Sequence, residues 1–367
     1  MEVDKRNLII FMPSMDGGGV EKNLVLISNY LSNYFKNLTL ITFDDRFNFF
    51  FNKYIKIINS KCKRNRKYSK YIKYFVCIIL LIKEIIKNKS SLVFSFQANI
   101  YCCILKTFFK FNLVVRSNTS PSGWNKNFIK KLIFKYFIKK ANAIIVNSAD
   151  FKKELDKDLN VNSELIYNPL NIKDILELSK KKITKKIYSK NAIKIINIAR
   201  FTDQKDHLTL LKAFAIAKKT VNCELILLGY GANEIKIREF IKKHNISSSV
   251  KIIKFDLNPY KYLAKADLFI LTSLYEGLPN VLLEALALKK IVISTNCPTG
   301  PAEILKNGKY GVLFKMHDYQ TLSKIIINYS INKKAYRNKS NLGYKNLGRF
   351  DFQKNCKKYL DLILKYS

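Results

Sequence analysis

Two carboxylates, Glu276 and Glu284, stand where a carboxylate needs a chemical reason. Both lie in "LYEGLPNVLLEALALKK", residues 274–290, and Glu284 is surrounded there by Val281, Leu282, Leu283, Ala285, Leu286, Ala287 and Leu288. A helix buried along such a run must strip water from the carboxylate, which is costly unless donors replace it. Sugar or ribose hydroxyls are suitable donors. The amides of a neighbouring loop, or a buried cation, would satisfy a purely structural carboxylate equally well. Upstream, "RFTDQKDHLTLL" places Arg200 and Lys205 directly after the apolar stretch "IKIINIA". Two cations at a strand end suit a nucleotide diphosphate and its departure as a leaving group. Alone they carry little weight, because a Lys in so basic a chain is ordinarily a solvated charge.

These residues need particular elements to hold them. "DLFILTS" (267–273) reads as a strand, "LYEGL" as a tight loop, and Pro279 suits the first turn of a helix. The helix N-terminus would direct N–H groups to an anion, a seat for a diphosphate. Glu284 then lies about one and a half turns into that helix, able to face the same cavity as Glu276. Around this unit, short apolar strands alternate with amphipathic helical stretches, which argues for α/β layers. A first series comprises "NLIIFM" (7–12), "LTLITF" (38–43), "SLVFSF" (91–96), "NLVVRS" (112–117) and "NAIIVNS" (142–148). A second comprises "IKIINIA" (193–199), "CELILLG" (223–229), "VKIIKF" (250–255), "DLFILTS" and "IVIST" (291–295). The break falls between Pro169 and Ala192. Two Rossmann-like halves facing across a cleft would hold ligands at the carboxyl ends of their strands. The aromatic stretch Phe128, Leu132, Ile133, Tyr136 and Phe137 is expected in the core, and "CIILLIKEII" (77–86) against the first sheet.

Charge narrows the partners. The chain has 66 Lys or Arg against 27 Asp or Glu, a net charge of +39. Between Arg46 and Ala149 stand 22 Lys or Arg and one acidic residue, Glu84. Such a segment seeks a polyanion, either nucleic acid or an anionic membrane face. The clusters at 61–73 and 130–140 mix Lys and Arg with Tyr, Phe and Ile, types that sit at a headgroup boundary. The longest apolar run, Tyr74–Ile82, is about half of what a bilayer span requires. Met1–Arg6 is polar and does not read as a signal peptide. Seven cysteines without a CxxC pair suit a reducing, cytosolic compartment. His207, His244 and His317 show no metal-site spacing, and Asp156-Lys157-Asp158 lies in a charged helical stretch rather than at a strand end.

Arg200 with Lys205, "LGYGANE" (228–234), "NPYKYLAKADLFILTSLYEGLPNVLLEALA" (258–287) and "TGPAEIL" (299–305) together resemble the retaining glycosyltransferases of family 4. The likeness is dense from Ile193 to Leu313 and reaches the N-terminus through "GGGVEKNLVLISNYL" (17–31). It implies a GT-B fold of two Rossmann-like domains. These would be an acceptor domain at 1–170, a nucleotide-sugar domain at 171–350 and a C-terminal helix, 351–367, returning to the first. In that family Glu284 would hold the donor ribose, and Glu276 would contact the transferred sugar. Arg200 and Lys205 would bind the diphosphate, helped by the backbone around Leu278, Pro279, Asn280 and Val281. Gly229 and Gly231 would let the backbone approach the nucleotide, although an ordinary turn explains them nearly as well. Gly17, Gly18 and Gly19 would face donor phosphate and acceptor; they do not form a GxGxxG fingerprint, which disfavours a nicotinamide cofactor.

The chain departs from the family in one respect. Many relatives place a histidine of the N-domain near the reacting centre, whereas all three histidines here follow residue 200. The matching region offers Arg116 and Asn118, and the loop "SFQAN" offers Gln97 and Asn99 as acceptor ligands. No base is then at hand in the N-domain, which suits a retaining reaction in which the leaving phosphate takes the acceptor proton. The expectation is a cytoplasmic enzyme, peripheral on the inner face of the cell membrane. It would use a UDP-sugar donor and a lipid-linked or growing glycan acceptor, with neither metal nor cofactor. A nucleic-acid-binding protein and a sugar-nucleotide epimerase of the same fold are the alternatives. The first lacks a recognised module or stacking motif, the second lacks N-domain histidines, and a panel of UDP- and GDP-sugars separates all three.

Overall fold

The computed structural model describes residues 4–15, 17–60, 68–88, 91–118, 128–183 and 187–367. The chain divides into two compact units, Met1–Pro169 with Phe352–Ser367, and Leu170–Asp351.

In the first unit the chain runs β1 (Asp4–Phe11), α1 (Gly19–Leu31), β2 (Phe35–Ile41), β3 (Ile55–Ile58) and α2 (Lys70–Lys87). It continues through β4 (Leu92–Ser95), α3 (Asn99–Phe108), β5 (Asn112–Arg116), α4 (Phe128–Ile138), β6 (Ala143–Val146), α5 (Ala149–Leu159) and β7 (Glu164–Leu165). The strands form one parallel sheet in the order β3-β2-β1-β4-β5-β6-β7. Register puts Leu8 between Leu38 and Leu92. Successive side chains alternate between two buried faces, as the period of a strand requires. Leu8 and Ile10 enter the core beneath α1, while Ile9 and Phe11 enter the one beneath α2 to α5.

The second unit runs α6 (Ile172–Ser179), β8 (Ile193–Ile198), α7 (His207–Ala217), β9 (Cys223–Leu228), α8 (Glu234–Lys243), β10 (Val250–Ile253) and α9 (Tyr260–Leu263). Then come β11 (Leu268–Leu271), α10 (Asn280–Ala287), β12 (Ile291–Thr295), α11 (Pro301–Ile304), β13 (Val312–Phe314), α12 (Tyr319–Ile331) and α13 (Lys333–Lys345). Its sheet is also parallel, ordered β10-β9-β8-β11-β12-β13. Leu268 pairs with Ile195 on one side and Ile291 on the other. Leu210, Leu211 and Phe214 of α7 fill the core with Ile195, Leu225 and Ile270.

The last helix, α14 (Phe352–Tyr366), belongs to the first unit. Cys356, Tyr359, Leu360 and Ile363 complete the core beneath α1. The helix is thus returned to the sheet by its apolar stripe, at i, i+3, i+4 and i+7.

Several expectations are corrected. Pro279 precedes α10, with ψ at 104°, so it caps the helix rather than joining its first turn. Leu132, Ile133 and Tyr136 on α4 are exposed, not core. The edge strands β3, β7 and β13 escape a reading of apolar runs because they are short and half-buried. The cationic residues 61–67 and the side chains of 128–131 lie outside the described residues.

Candidate active site

Both sheets reverse strand order at one seam, β1/β4 in the first unit and β8/β11 in the second. In open parallel sheets such a seam opens a crevice beyond the carboxyl ends of the strands. The sequence candidates of the second unit gather at this place. Lys205 follows β8, Glu276 follows β11, and their Nζ and Oε1 form an ion pair across the seam.

Three loops hold that pair. The turn at Asp203–Lys205 is stitched to the loop after β11. Leu274 N–H donates to Gln204 O (2.8 Å), the Gln204 side-chain amide to Tyr275 O (2.8 Å), and the Thr272 hydroxyl to Lys205 O (2.9 Å). The loop after β12 supports the other side, where Glu276 N–H donates to Pro298 O (2.7 Å). Thr299 returns its N–H to Glu276 O (3.2 Å) and its hydroxyl to the carbonyls of Glu276 and Gly277 (3.2 and 3.1 Å). Gly300, at φ +91°, makes this packing possible, since a Cβ there would lie 2.2 Å from Gly277 O. Gln204 and Thr299 are thus supports that residue type alone did not single out. Lys205 and Glu276 are largely withdrawn from water, with side-chain exposures of 15% and 9%. Burial, followed by the neighbouring Glu276 charge, pushes the Cys297 thiol up to about 12, which leaves it unreactive.

Arg200 is exposed and makes no ion pair among the described residues. It therefore keeps a guanidinium for an incoming anion. Between Lys205 and α7, Asp206 caps the helix through Thr209 N–H (3.2 Å) and hydroxyl (2.7 Å). His317 Nδ1 meets the same carboxylate at 2.9 Å. His207 is buried edge-on against the Phe201 ring, 5.0 Å between centroids. Burial, then the Lys205 charge, lowers its pKa to about 4, so it is a neutral packing residue rather than a base poised for catalysis.

Glu284 is buried on α10, and its Oε1 accepts a hydrogen bond from the Tyr260 hydroxyl (3.2 Å). Tyr260 is a partner that nothing in the local sequence signals. Gly229 and Gly231 have a second role besides the one the resemblance implies. A Cβ on Gly229 would lie 1.9 Å from Ala199 O, and one on Gly231 2.4 Å from Phe201 O. What presses against these glycines is the protein's own chain leading to Arg200 and Lys205. Phe201 N–H donates to Tyr230 O (2.8 Å), which ties the two strand ends together. At α10, Leu282 N–H closes onto Pro279 O (3.1 Å), and Leu278 and Pro279 are buried while Asn280 and Val281 are half-buried.

The N-terminal candidates are held internally. Gly17 (φ +79°), Gly18 and Gly19 lead into α1, but Gly18 N–H already donates to Glu21 Oε2 (2.9 Å). Ser14 N–H donates to Gln97 Oε1 (3.0 Å) across the β1/β4 seam. Asn99 accepts from the Ser95 hydroxyl (2.8 Å) and donates to Arg116 O (3.0 Å). Arg116 is wholly buried. Its guanidinium donates to the Tyr359 hydroxyl (3.0 Å), Asn168 Oδ1 (2.6 Å) and Asn118 Oδ1, and lies over the Phe96 ring. Asn118 in turn donates to Phe96 O (2.6 Å). Arg116, braced by Asn118, thus joins α14 to the sheet. Asp156 accepts from Lys152 (2.7 Å) and Ser163 N–H (2.9 Å) on α5. Among the described residues no three His, Cys, Asp or Glu side chains are grouped to hold a metal ion.

Residues 179–346 match the family model described as "Glycosyl transferases group 1". An uncharacterized glycosyltransferase of Methanocaldococcus jannaschii is 36% identical over 228 residues, 56% of this chain and 56% of that protein. A Campylobacter jejuni protein is 27% identical over 372 residues, covering 97% of this chain and 99% of its own length. It is named N-acetylgalactosamine-N,N'-diacetylbacillosaminyl-diphospho-undecaprenol 4-alpha-N-acetylgalactosaminyltransferase. The crystal structure of Anabaena HepE in complex with UDP and glucose superposes with a TM-score of 0.78 at 16% identity, covering 98% of this chain and 99% of that one. At that identity the likeness bears on the fold alone, and the fold is GT-B.

Proposed function

From the match of residues 179–346 to the group 1 glycosyltransferases, we propose that the chain moves a sugar from a UDP-sugar to a lipid-linked glycan, with retention and without a metal. The observation that carries this reading is the Lys205–Glu276 pair, bridging the seam of the sheet inside the matched region. A diphosphate arriving there meets the free guanidinium of Arg200 and the ammonium of Lys205. Together they offset the charge that grows on the leaving group. Glu276, beside Lys205, accepts hydroxyls of the transferred sugar, and Glu284, oriented by Tyr260, those of the ribose. As the glycosidic bond to phosphate breaks and the bond to the acceptor oxygen forms on the same face, the departing phosphate oxygen takes the acceptor's proton. This assignment of the proton is consistent with the neutral, buried His207 and with the absence of N-domain histidines.

The Campylobacter relative, aligned along nearly its whole length, supports a polyprenyl-diphosphate-linked acceptor and hence work at the cytoplasmic face of a membrane. Among the described residues no helix is long and apolar enough to cross one, so attachment would be peripheral. The test is a panel of UDP- and GDP-sugars with a short polyprenyl-diphosphate-sugar acceptor, run with and without EDTA. The reading expects one UDP-sugar to be consumed, an α-linked product from an α-linked donor, and turnover that survives the chelator. Inverted product, or activity lost to EDTA and restored by Mg²⁺, would overturn retention or metal independence respectively.

A further inference from the structure

After β2 the chain runs through "FDDRFNFFFNKY", residues 43–54, which holds five phenylalanines and a tyrosine. They divide by direction. Phe47 and Phe51 pack on the core beneath α1, and Phe43 enters the core on the other side of the sheet. Phe49, Phe50 and Tyr54 turn outward and are exposed at 67%, 39% and 64%. The Phe49 and Phe50 rings lie 4.2 Å apart between centroids, and Phe50 stacks on Phe47 at 6.4 Å. The segment is fixed at both ends. Asp44 accepts hydrogen bonds from Met15 N–H (3.3 Å) and Lys73 Nζ (2.8 Å), and Arg46 donates to Met15 O (3.0 Å). Further on, Asn29 of α1 donates its side-chain amide to Phe50 O (2.8 Å) and accepts from Asn52 N–H (2.8 Å). The outward rings are therefore held by the backbone beneath them, and a ligand need order little on arrival.

We propose that Phe49, Phe50 and Tyr54 form a platform for the uncharged sugar rings of a glycan, gripping units of the acceptor other than the one that reacts; the inference rests on the glycan acceptor proposed above. Charge selects this occupant. In a chain of net charge +39, residues 44–54 carry two acids, Asp44 and Asp45, and two bases, Arg46 and Lys53, hence 2 − 2 = 0. A neutral aromatic surface matches neither the phosphates of a nucleic acid nor an anionic headgroup layer. A sugar ring suits it, because its C–H faces carry partial positive charge toward the negative face of an aromatic ring. Its hydroxyls then need donors at the border. Arg46 lies over the Phe47 ring at 5.7 Å and Lys53 over the Tyr54 ring at 5.3 Å, where both can serve. Three outward rings on one short segment fall well below the ~20–30 residues a side of a stable protein interface. They suit a repeating ligand instead, as successive bases stack on successive aromatic side chains.

The experiment titrates the full chain, without donor, with neutral hexaoses of glucose, galactose, N-acetylglucosamine and N-acetylgalactosamine, and with the matching monosaccharides. At least one hexaose is expected to bind about tenfold or more tighter than its monosaccharide. Its affinity should be the same at low and high salt. The double variant Phe49→Ser, Tyr54→Ser should weaken that hexaose about tenfold, whereas Phe49→Tyr, which keeps the ring, should not. Both should keep the wild-type unfolding midpoint and the wild-type affinity for UDP. Absence of binding by every hexaose overturns the proposal, and so does binding that the double variant leaves unchanged. A double variant that instead loses a dimer, or loses sedimentation with phosphatidylcholine vesicles, while still binding the hexaose gives the rings to another occupant and overturns it too. If the transferase reading fails, no UDP-sugar is turned over while the ring-dependent hexaose binding remains.

Discussion

Lys205 and Glu276 stabilise each other at a place where both are nearly dry, so each variant must be read for fold and function separately. Lys205→Ala strands a carboxylate beside Cys297. It should cost about 2–3 kcal/mol of stability, somewhat under the ~3–5 of a wholly buried pair. Adding Glu276→Ala should recover part of that loss, which a denaturation double-mutant cycle measures. Function behaves differently: Glu276→Gln and Glu284→Ala should each remove ~1.5–3 kcal/mol of transition-state binding, roughly ten- to a hundredfold in turnover. Wild-type turnover and donor affinity in both would remove these residues from the site. Arg200→Ala should weaken UDP far more than uridine in a titration. Equal losses would place the guanidinium away from the diphosphate. His207 supplies a pH dependence. Its folded pKa of about 4 lies below the unfolded value near 6.5, so the unfolded chain binds the proton first on acidification. The stability it contributes is complete above about 6.5 and is lost as pH falls through about 4, on the order of 3 kcal/mol in all. In His207→Leu the difference from wild type should therefore shrink as pH falls across that window. A constant difference from pH 7 to 4 would contradict a neutral, buried imidazole.

Among the elements, α14 is held by more than its apolar stripe. Arg116, the last residue of β5, spends one N–H on Tyr359, 243 residues away. Tyr359→Phe leaves a buried guanidinium one acceptor short and should cost ~1.5–3 kcal/mol. The loss should be local. Hydrogen exchange ought to accelerate in α14 and β5 while the amides of β8 and β11 keep their protection. Equal acceleration in both units, or none in either, would refute this anchor. Apart from the short edge strands β3, β7 and β13, the strands of both sheets were legible in the sequence because each is a short apolar run, the signature of a strand buried on both faces. The return of α14 was expected from family resemblance, and its Arg116–Tyr359 anchor was not. Arg116 reads locally as a polar residue at a strand end, and only the fold reveals that a tyrosine fills the space before it.

For the molecule as a whole, a net charge of +39 is a load on stability as well as a means of finding partners. Like charges crowded on a folded chain repel more than the same charges spread along an unfolded one. Raising NaCl from about 0.05 to about 0.3 M shortens the screening length from about 14 to about 6 Å. The unfolding midpoint should rise by a few degrees, on the order of 2–4 °C per kcal/mol for units of this size. KCl should act alike. A midpoint that falls with salt would mean that exposed ion pairs outweigh repulsion.

The sequence alone determined the two parallel sheets, the carboxylates and cations at their strand ends, and the glycosyltransferase likeness. All of these are carried by patterns spanning at most a few tens of residues. Apolar runs encode strands, and "EGLPNVLLEALA" encodes a loop, a helix start and a carboxylate on an apolar helix. Partnership was decided only by tertiary structure. Lys205 and Glu276 stand 71 residues apart, Gly229 is narrow because Ala199 passes it, and Arg116 is consumed by Tyr359. The physical reason is common to these cases. Backbone propensity and periodicity act between near neighbours, whereas ion pairs, close backbone approaches and burial depend on which distant segments the strand order brings to one seam.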